Sequence, residues 1–232
     1  MNLELTDVSV RYGKTEVLHG VSHTFREGKV TCIIGPNGCG KTTLIKALVR
    51  KYAKSGSLSY IPQTVYGNVA LTVKDTVALG RYDKSRFIYG ETQEDLKLVA
   101  KALELMELTD KADRIFDTLS GGEMQRCMAA RAICQDAKWL IMDEPASNLD
   151  VVHSKLIMDT GRKMVREDGK SMIIVMHDIN AAVTYGDEFV LMKDGRIIKV
   201  TDSLDSKVLS EVFDTAFFEV KTPSGKNVFY ID

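Results

Sequence analysis

Three short runs of the chain are apolar at nearly every position: Val30 to Ile34, Trp139 to Met142 and Met172 to Met176. Each is about a strand long and rich in Ile, Val or Met, the pattern of strands covered on both faces of a parallel sheet. They predict an α/β core. Near the N-terminus Leu3 and Leu5, then Val8 and Val10, alternate with polar residues as in a half-exposed strand. Phe189 to Met192 and Arg196 to Val200 flank Asp194-Gly195, a hairpin turn signal. Together these predict a small antiparallel sheet beside the parallel one. From about Thr64 to Gln135 the period turns helical: Thr92 to Asp95 has the form of a capping box, and Leu96, Val99, Leu103 and Met106 follow at helical spacing. The expectation is a single domain, with a core lobe over 1–63 and 136–232 and an inserted α-helical subdomain over 64–135. The last stretch predicts a short helix around Val208 to Phe213 and a hairpin around Pro223-Ser224-Gly225.

Composition narrows the function classes. With 232 residues, 44% of them hydrophobic, the chain can bury a large core. A net charge of -1 gives no positive field to hold it on nucleic acid or anionic lipid, so no nucleic-acid partner is expected. The N-terminus shows no charged-then-apolar leader, and no apolar stretch approaches the roughly 20 residues of a membrane span. A soluble chain is expected, working at a membrane only through partners. Cys32, Cys39, Cys127 and Cys134 show neither CxxC nor Cys/His ligand spacing and read as reduced cytosolic thiols.

The chemistry is concentrated at the ends of the apolar runs. Gly35-Pro36-Asn37-Gly38-Cys39-Gly40-Lys41-Thr42 follows the first run and matches the phosphate-binding loop GxxxxGK[ST]. Its glycines let backbone N–H groups turn around phosphate oxygens, and the next helix offers its positive N-terminus. Lys41 is expected to neutralise β- and γ-phosphate charge and Thr42 to place its hydroxyl on Mg²⁺. Asp143 and Glu144 end the second run, and adjacent residues there cannot both point at one atom. Asp143 is therefore expected to hold Mg²⁺ through a water and Glu144 to polarise the attacking water; a solvated acidic turn is the plain alternative. His177 directly follows the third run, as a γ-phosphate contact or as an ordinary surface residue. Cys39, beside Lys41 at a helix start, is expected to favour the thiolate and react with alkylating agents, unless its sulfur packs away.

Leu119-Ser120-Gly121-Gly122-Glu123-Met124-Gln125-Arg126 opens another helix, with Ser120 and Glu123 spaced as a capping box. Two glycines in a first turn cost about 1 kcal/mol each relative to alanine. Close approach of a phosphate to that helix end accounts for the cost.

LSGGEMQR, GPNGCGKTT and WLIMDEP followed by SNLD together resemble the ATP-binding-cassette family of transporter ATPases, over essentially the whole chain. The resemblance implies ATP and Mg²⁺ as ligands, with Gly35 to Thr43 (Pro36, Asn37, Gly38, Cys39, Gly40, Lys41 and Thr42 between them) cradling the nucleotide. It implies that Ser120, Gly121 and Gly122 of one subunit complete the ATP site of its partner in a homodimer or pseudo-symmetric dimer. It makes Tyr12 the ring on adenine, Gln63 the link from Mg²⁺ or water to a transmembrane partner, and Ser147, Asn148, Leu149 and Asp150 the dimer-interface loop. Read without the family, Tyr12 is a surface aromatic, Gln63 a turn residue and the SNLD segment a helix cap.

LTVKDTVALGRY, CQDAKWLIMDEPASNLD and HDINAAVTYGDEFVLMKDG look most similar to ATPases of bacterial iron-siderophore, haem and cobalamin importers. That branch implies two permease subunits, an extracytoplasmic binding protein and a peripheral position on the cytoplasmic side of the membrane. One departure is the 22-residue step from Lys41 to Gln63, shorter than iron-chelate importers usually carry and closer to zinc importers. A zinc or manganese importer is the alternative, and a soluble non-transport cassette protein a more distant one.

Overall fold

The three continuous apolar runs are strands buried along their whole length, Val30–Ile34, Trp139–Asp143 and Ser171–Val175. Such strands are stable only where both faces are covered. The computed structural model describes residues 1–63, 70–82, 92–145, 149–223, 225 and 227–232. In chain order the first elements are β1 (Leu3–Tyr12), β2 (Thr15–Phe25), β3 (Val30–Ile34), α1 (Lys41–Tyr52), β4 (Leu58–Ile61), α2 (Val73–Ala78), α3 (Gln93–Leu105) and α4 (Gly121–Cys134). Then come β5 (Trp139–Asp143), α5 (Val151–Glu167), β6 (Ser171–Val175), α6 (Ile179–Tyr185), β7 (Glu188–Lys193), β8 (Arg196–Thr201), α7 (Ser206–Phe213), β9 (Phe217–Lys221) and β10 (Asn227–Ile231). They divide into two compact units, one of Met1–Ser55 with Val165–Asp232 and one of Gly56–Met164. The helical segment expected over 64–135 lies within the second.

In the first unit β3 is flanked by two parallel partners, with Cys32 opposite Ile174 of β6 and Phe189 of β7. β1 and β2 form an antiparallel ribbon in which Leu3 and Leu5 are buried. The buried phase moves from odd to even positions between Leu5 and Val8, where the register shifts. Asp7, at φ 49°, takes up the extra residue as a bulge does. The Asp194-Gly195 hairpin forms with both turn residues at positive φ, 46° and 71°. The expected small antiparallel sheet is the β1–β2 ribbon, but this hairpin does not belong to it: its first strand pairs with β3 instead. Glu188 to Met192 are buried without a break, so β7 needs cover on both faces and joins the parallel core, while the mostly exposed β8 pairs antiparallel to it as an edge. α7 contains the expected Val208 to Phe213 helix, and β9 and β10 pair antiparallel on either side of Pro223 and Gly225, with Ser224 outside the described residues.

In the second unit β4 and β5 run parallel, Leu58 opposite Trp139 and Ile61 opposite Met142. Three helices start with reciprocal capping boxes: Thr72 with Asp75, Thr92 with Asp95, and Ser120 with Glu123. Arg81 ties them together. Its Nε donates to Asp95 Oδ1 at 2.8 Å and its NH1 to the Cys134 and Gln135 carbonyls at 3.3 Å each. The guanidinium, followed by the Thr92 hydroxyl, holds the Asp95 carboxyl far below the usual carboxylate range. Gly80 allows this close approach, since a Cβ there would stand 2.3 Å from the Arg131 carbonyl oxygen.

Candidate functional site

The parallel pairing of β3 and β6 brings their C-terminal ends side by side, Ile33 opposite Val175. The glycine-rich loop leaves one end and His177, exposed, follows the other. Gly35 has no room for a side chain: a Cβ would lie 2.1 Å from the Met192 carbonyl oxygen and 2.9 Å from Cys39 Sγ. Gly38 and Gly40 turn the loop at φ 78° and 102°. A Cβ at Gly38 would meet nothing within 4 Å, so that side of the loop is open. Lys41 is buried, and its ammonium donates to the Gly35 and Pro36 carbonyls at 2.7 and 3.0 Å. Thr42 and Thr43 are half-buried, while Asn37 and Gly38 are exposed.

Cys39 corrects the expectation of a reactive thiolate. Its side chain is buried, with Sγ toward Gly35, and desolvation raises the thiol pKa despite the opposing Lys41 charge. The alternative reading, a sulfur packed under the loop, is the one the structure supports.

Tyr12 ends β1 with its ring 57% exposed. It lines a cavity of about 460 Å³ whose other walls include Val10 and the Thr43, Lys46, Ala47 and Arg50 side of α1.

In the second unit the two carboxylates at the end of β5 part company. Asp143 is buried, and the Tyr60 hydroxyl donates to its Oδ2 at 3.4 Å. Burial, followed by the Asp143 charge, pushes the Tyr60 hydroxyl pKa well above the usual phenol range. Glu144 steps into the left-handed region at φ 49°, a conformation costing a non-glycine residue about 1–2 kcal/mol. It is half-buried, and Gln63 Nε2 donates to its Oε2 at 2.5 Å. Thr42, Gln63 and Asp143 offer hydroxyl, amide and carboxylate oxygens, the hard donors that Mg²⁺ takes.

Ser120 caps α4. Its Oγ accepts from the Glu123 N–H at 3.3 Å, its own N–H donates to Glu123 Oε2 at 2.8 Å, and Lys111 Nζ lies 3.0 Å from Glu123 Oε1. The Ser120 N–H first, and Lys111 second, hold the Glu123 carboxyl down to about 2. The capping reading is thus locally true. Ser120 and Gly121 are nevertheless exposed, and a Cβ at Gly121 would meet nothing within 4 Å, leaving the helix end accessible. A Cβ at Gly122 would come to 3.3 Å from Leu149 Cδ2, so the first turn of α4 lies against Leu149. Asp150 accepts from the His153 backbone N–H at 2.9 Å and pairs with His153 Nδ1 at 2.8 Å, both lowering its pKa. Ser147 and Asn148 lie outside the described residues.

Tyr60, Lys111, His153, Lys46 and Arg50 were not among the expected site residues. Tyr60 had one signal, its place in the SYIPQ run just before Gln63. The others carry none that separates them from ordinary surface residues.

Residues 18–147, more than half of the chain, match the family model described as "ABC transporter". The chain is 37% identical, over 91% of its length and 92% of that protein's, to the petrobactin import ATP-binding protein YclP of Bacillus subtilis (strain 168). It is 33% identical to the hemin import ATP-binding protein HmuV of Rhizobium meliloti (strain 1021), over 84% of its own length and 83% of the other's. Among solved structures, one described as a metal-chelate type ABC transporter in an inward-facing conformation superimposes with a TM-score of 0.83 at 22% identity, covering 99% of this chain and 96% of that one. A dimeric bacterial ABC transporter cassette gives a TM-score of 0.76 at 24% identity, over 88% and 100% of the two chains. The α/β fold is that of these cassettes, and the chain belongs to the ABC transporter family.

Proposed function

We propose that this chain is the ATP-hydrolysing subunit of an importer of iron-siderophore, haem or a related metal chelate. The observation that carries the reading is the 37% identity, over nine-tenths of both chains, to a petrobactin import ATP-binding protein. The open phosphate loop and the Gln63–Glu144 pair support the ATP-hydrolysing part of the reading.

Gly35 to Thr43 hold the ATP phosphates, with the Gly38 side of the loop open to them and Lys41 turning from its loop carbonyls to the β- and γ-oxygens. Thr42, Gln63 and Asp143 hold Mg²⁺, which when bound neutralises phosphate charge. Tyr60 orients Asp143 through its hydroxyl. Glu144 accepts the proton of the water that attacks the γ-phosphorus, while the bond to the β-phosphate oxygen of ADP breaks, and His177 donates to a γ-phosphate oxygen. The Gln63 amide, already on Glu144, aims that carboxylate. Tyr12 stacks on the base. Ser120, Gly121 and Gly122 close the partner's site across a dimer in which Ser147 to Asp150 form the facing loop.

Residues 64–135 act as the inserted helical subdomain, with Gln63 at its entry, and receive a cytoplasmic helix from each of two permease subunits. Among the described residues no helix is long and apolar enough to cross a membrane. Attachment at the cytoplasmic face therefore falls to those partners, and an extracytoplasmic binding protein supplies the chelate. The test is radioiron uptake in a host strain lacking the chain. Loss of ferric-siderophore or haem uptake, with zinc and manganese uptake intact, supports the reading. Loss of zinc or manganese uptake alone replaces it with the alternative that the short step from Lys41 to Gln63 favours.

A further inference from the structure

The cavity beside Tyr12 has a polar character that the phosphate loop does not explain. Thr43, Lys46, Ala47 and Arg50 recur at i, i+3, i+4 and i+7 on α1, so one helix stripe forms its wall. Lys51 also lines it, but its ammonium is committed to the Glu4 carbonyl at 2.9 Å. Lys46 and Arg50 are exposed and make no hydrogen bond or ion pair with the described residues. No carboxylate or carboxamide side chain is in the wall. Apart from two hydroxyls, its side-chain polar groups only donate.

At about 460 Å³ the space suits a purine next to an exposed aromatic ring. Stacking on Tyr12 does not distinguish bases, because every base has a π-face. The edge does: guanine presents two adjacent acceptors, N7 and O6, where adenine presents one acceptor and the N6 amino donor. Lys46 and Arg50 can satisfy both guanine acceptors and only one adenine acceptor, leaving the amino group facing cations.

We propose that Lys46 and Arg50 set the base preference of this subunit and make GTP a substrate at least as well bound as ATP. The proposal rests on the nucleotide-site reading above and deepens it. Both cations are solvent-exposed, which holds the preference to about one- to fivefold in favour of guanine. Glutamine at these positions offers an acceptor to N6 and a donor to N7, the pairing that suits adenine.

Calorimetric titration of the full chain with ATPγS and GTPγS in Mg²⁺, before and after the double substitution Lys46→Gln, Arg50→Gln, tests this. The expected result is GTPγS binding equal to or tighter than ATPγS, and a shift of the affinity ratio toward ATPγS by about threefold or more in the double variant. Wild-type binding of GTPγS weaker than that of ATPγS by more than about twofold, or a ratio unmoved by the double substitution, overturns the assignment of these two residues while leaving the nucleotide site standing. Failure of both analogues to bind overturns the nucleotide-site reading and this inference with it.

Discussion

Gly35 and Gly38 sit three residues apart in one loop for different physical reasons, and alanine at each separates them. At Gly35 a Cβ would stand 2.1 Å from the Met192 carbonyl oxygen, against 3.4–4 Å for an ordinary contact. That carbonyl belongs to β7, whose pairing of Leu191 with Ile34 fixes it next to β3, so the strand cannot yield by the required ångström without breaking its ladder. The cost falls at the top of the overpacking range, ~3 kcal/mol, and lowers the melting temperature by roughly 6–12 °C for a chain of this size. At Gly38 a Cβ meets nothing, and the penalty is the left-handed φ of 78° alone. That is ~1–2 kcal/mol, or roughly 2–8 °C. The added methyl projects on the open side of the loop, where the phosphates are proposed to sit, and weakens ATP by about tenfold or more. Scanning calorimetry and ATPγS titration of both variants give the two readouts. A Gly38→Ala protein less stable than Gly35→Ala, or a Gly35→Ala protein that melts with the wild type, refutes the reasoning.

Four further outcomes are expected. All four cysteines are buried, so Ellman's reagent should leave them nearly unreacted in the native chain and titrate all four after denaturation; rapid labelling of Cys39 contradicts its packing under the loop. Arg81→Met strips the cation from buried Asp95 and should cost ~3 kcal/mol, or roughly 6–12 °C, by calorimetry, and an unchanged melting temperature would show that the pair contributes nothing. Glu123 has its folded pKa lowered from 4.5 to about 2, so the stability it contributes is complete above pH 4.5 and lost as pH falls toward 2. Glu123→Gln should therefore be ~1 kcal/mol less stable than wild type at pH 7, with the gap closing through that window, and a gap independent of pH removes the charge from the explanation. A mixed dimer of Ser120→Arg with Lys41→Ala keeps one composite site whole, so it should hydrolyse ATP faster than either homodimer, and equal inactivity of all three sinks the composite site.

The parts of the fold legible in the sequence were those fixed by local periodicity. Val30 to Ile34 shows cover on both faces without help from any neighbour, and Thr92 to Asp95 and Ser120 to Glu123 are caps whose partners lie within one turn. Leu3, Leu5, Val8 and Val10 were read as one half-exposed strand, and the bulge at Asp7 that shifts the buried phase between Leu5 and Val8 was not read. β7 was misplaced because its turn was read and its five consecutive buried positions were not. Cys39 was misread because Lys41 and the helix start are sequence neighbours, whereas the packing that buries the sulfur comes from the loop's own fold beside β7. Gln63 and Glu144 lie 81 positions apart, and no spacing rule could have joined them. The cationic stripe of α1 looked like any solvated helix face until Tyr12 was seen beside it.

The central claim is that this chain hydrolyses ATP with Glu144 as the proton acceptor, and the most direct measurement is single-turnover hydrolysis of MgATP by the wild type and Glu144→Gln at equal nucleotide occupancy. The account predicts that Glu144→Gln binds ATP as well as the wild type, hydrolyses it at least about a hundredfold more slowly and accumulates as an ATP-bound dimer. A Glu144→Gln protein that binds ATP normally and turns it over at the wild-type rate contradicts it.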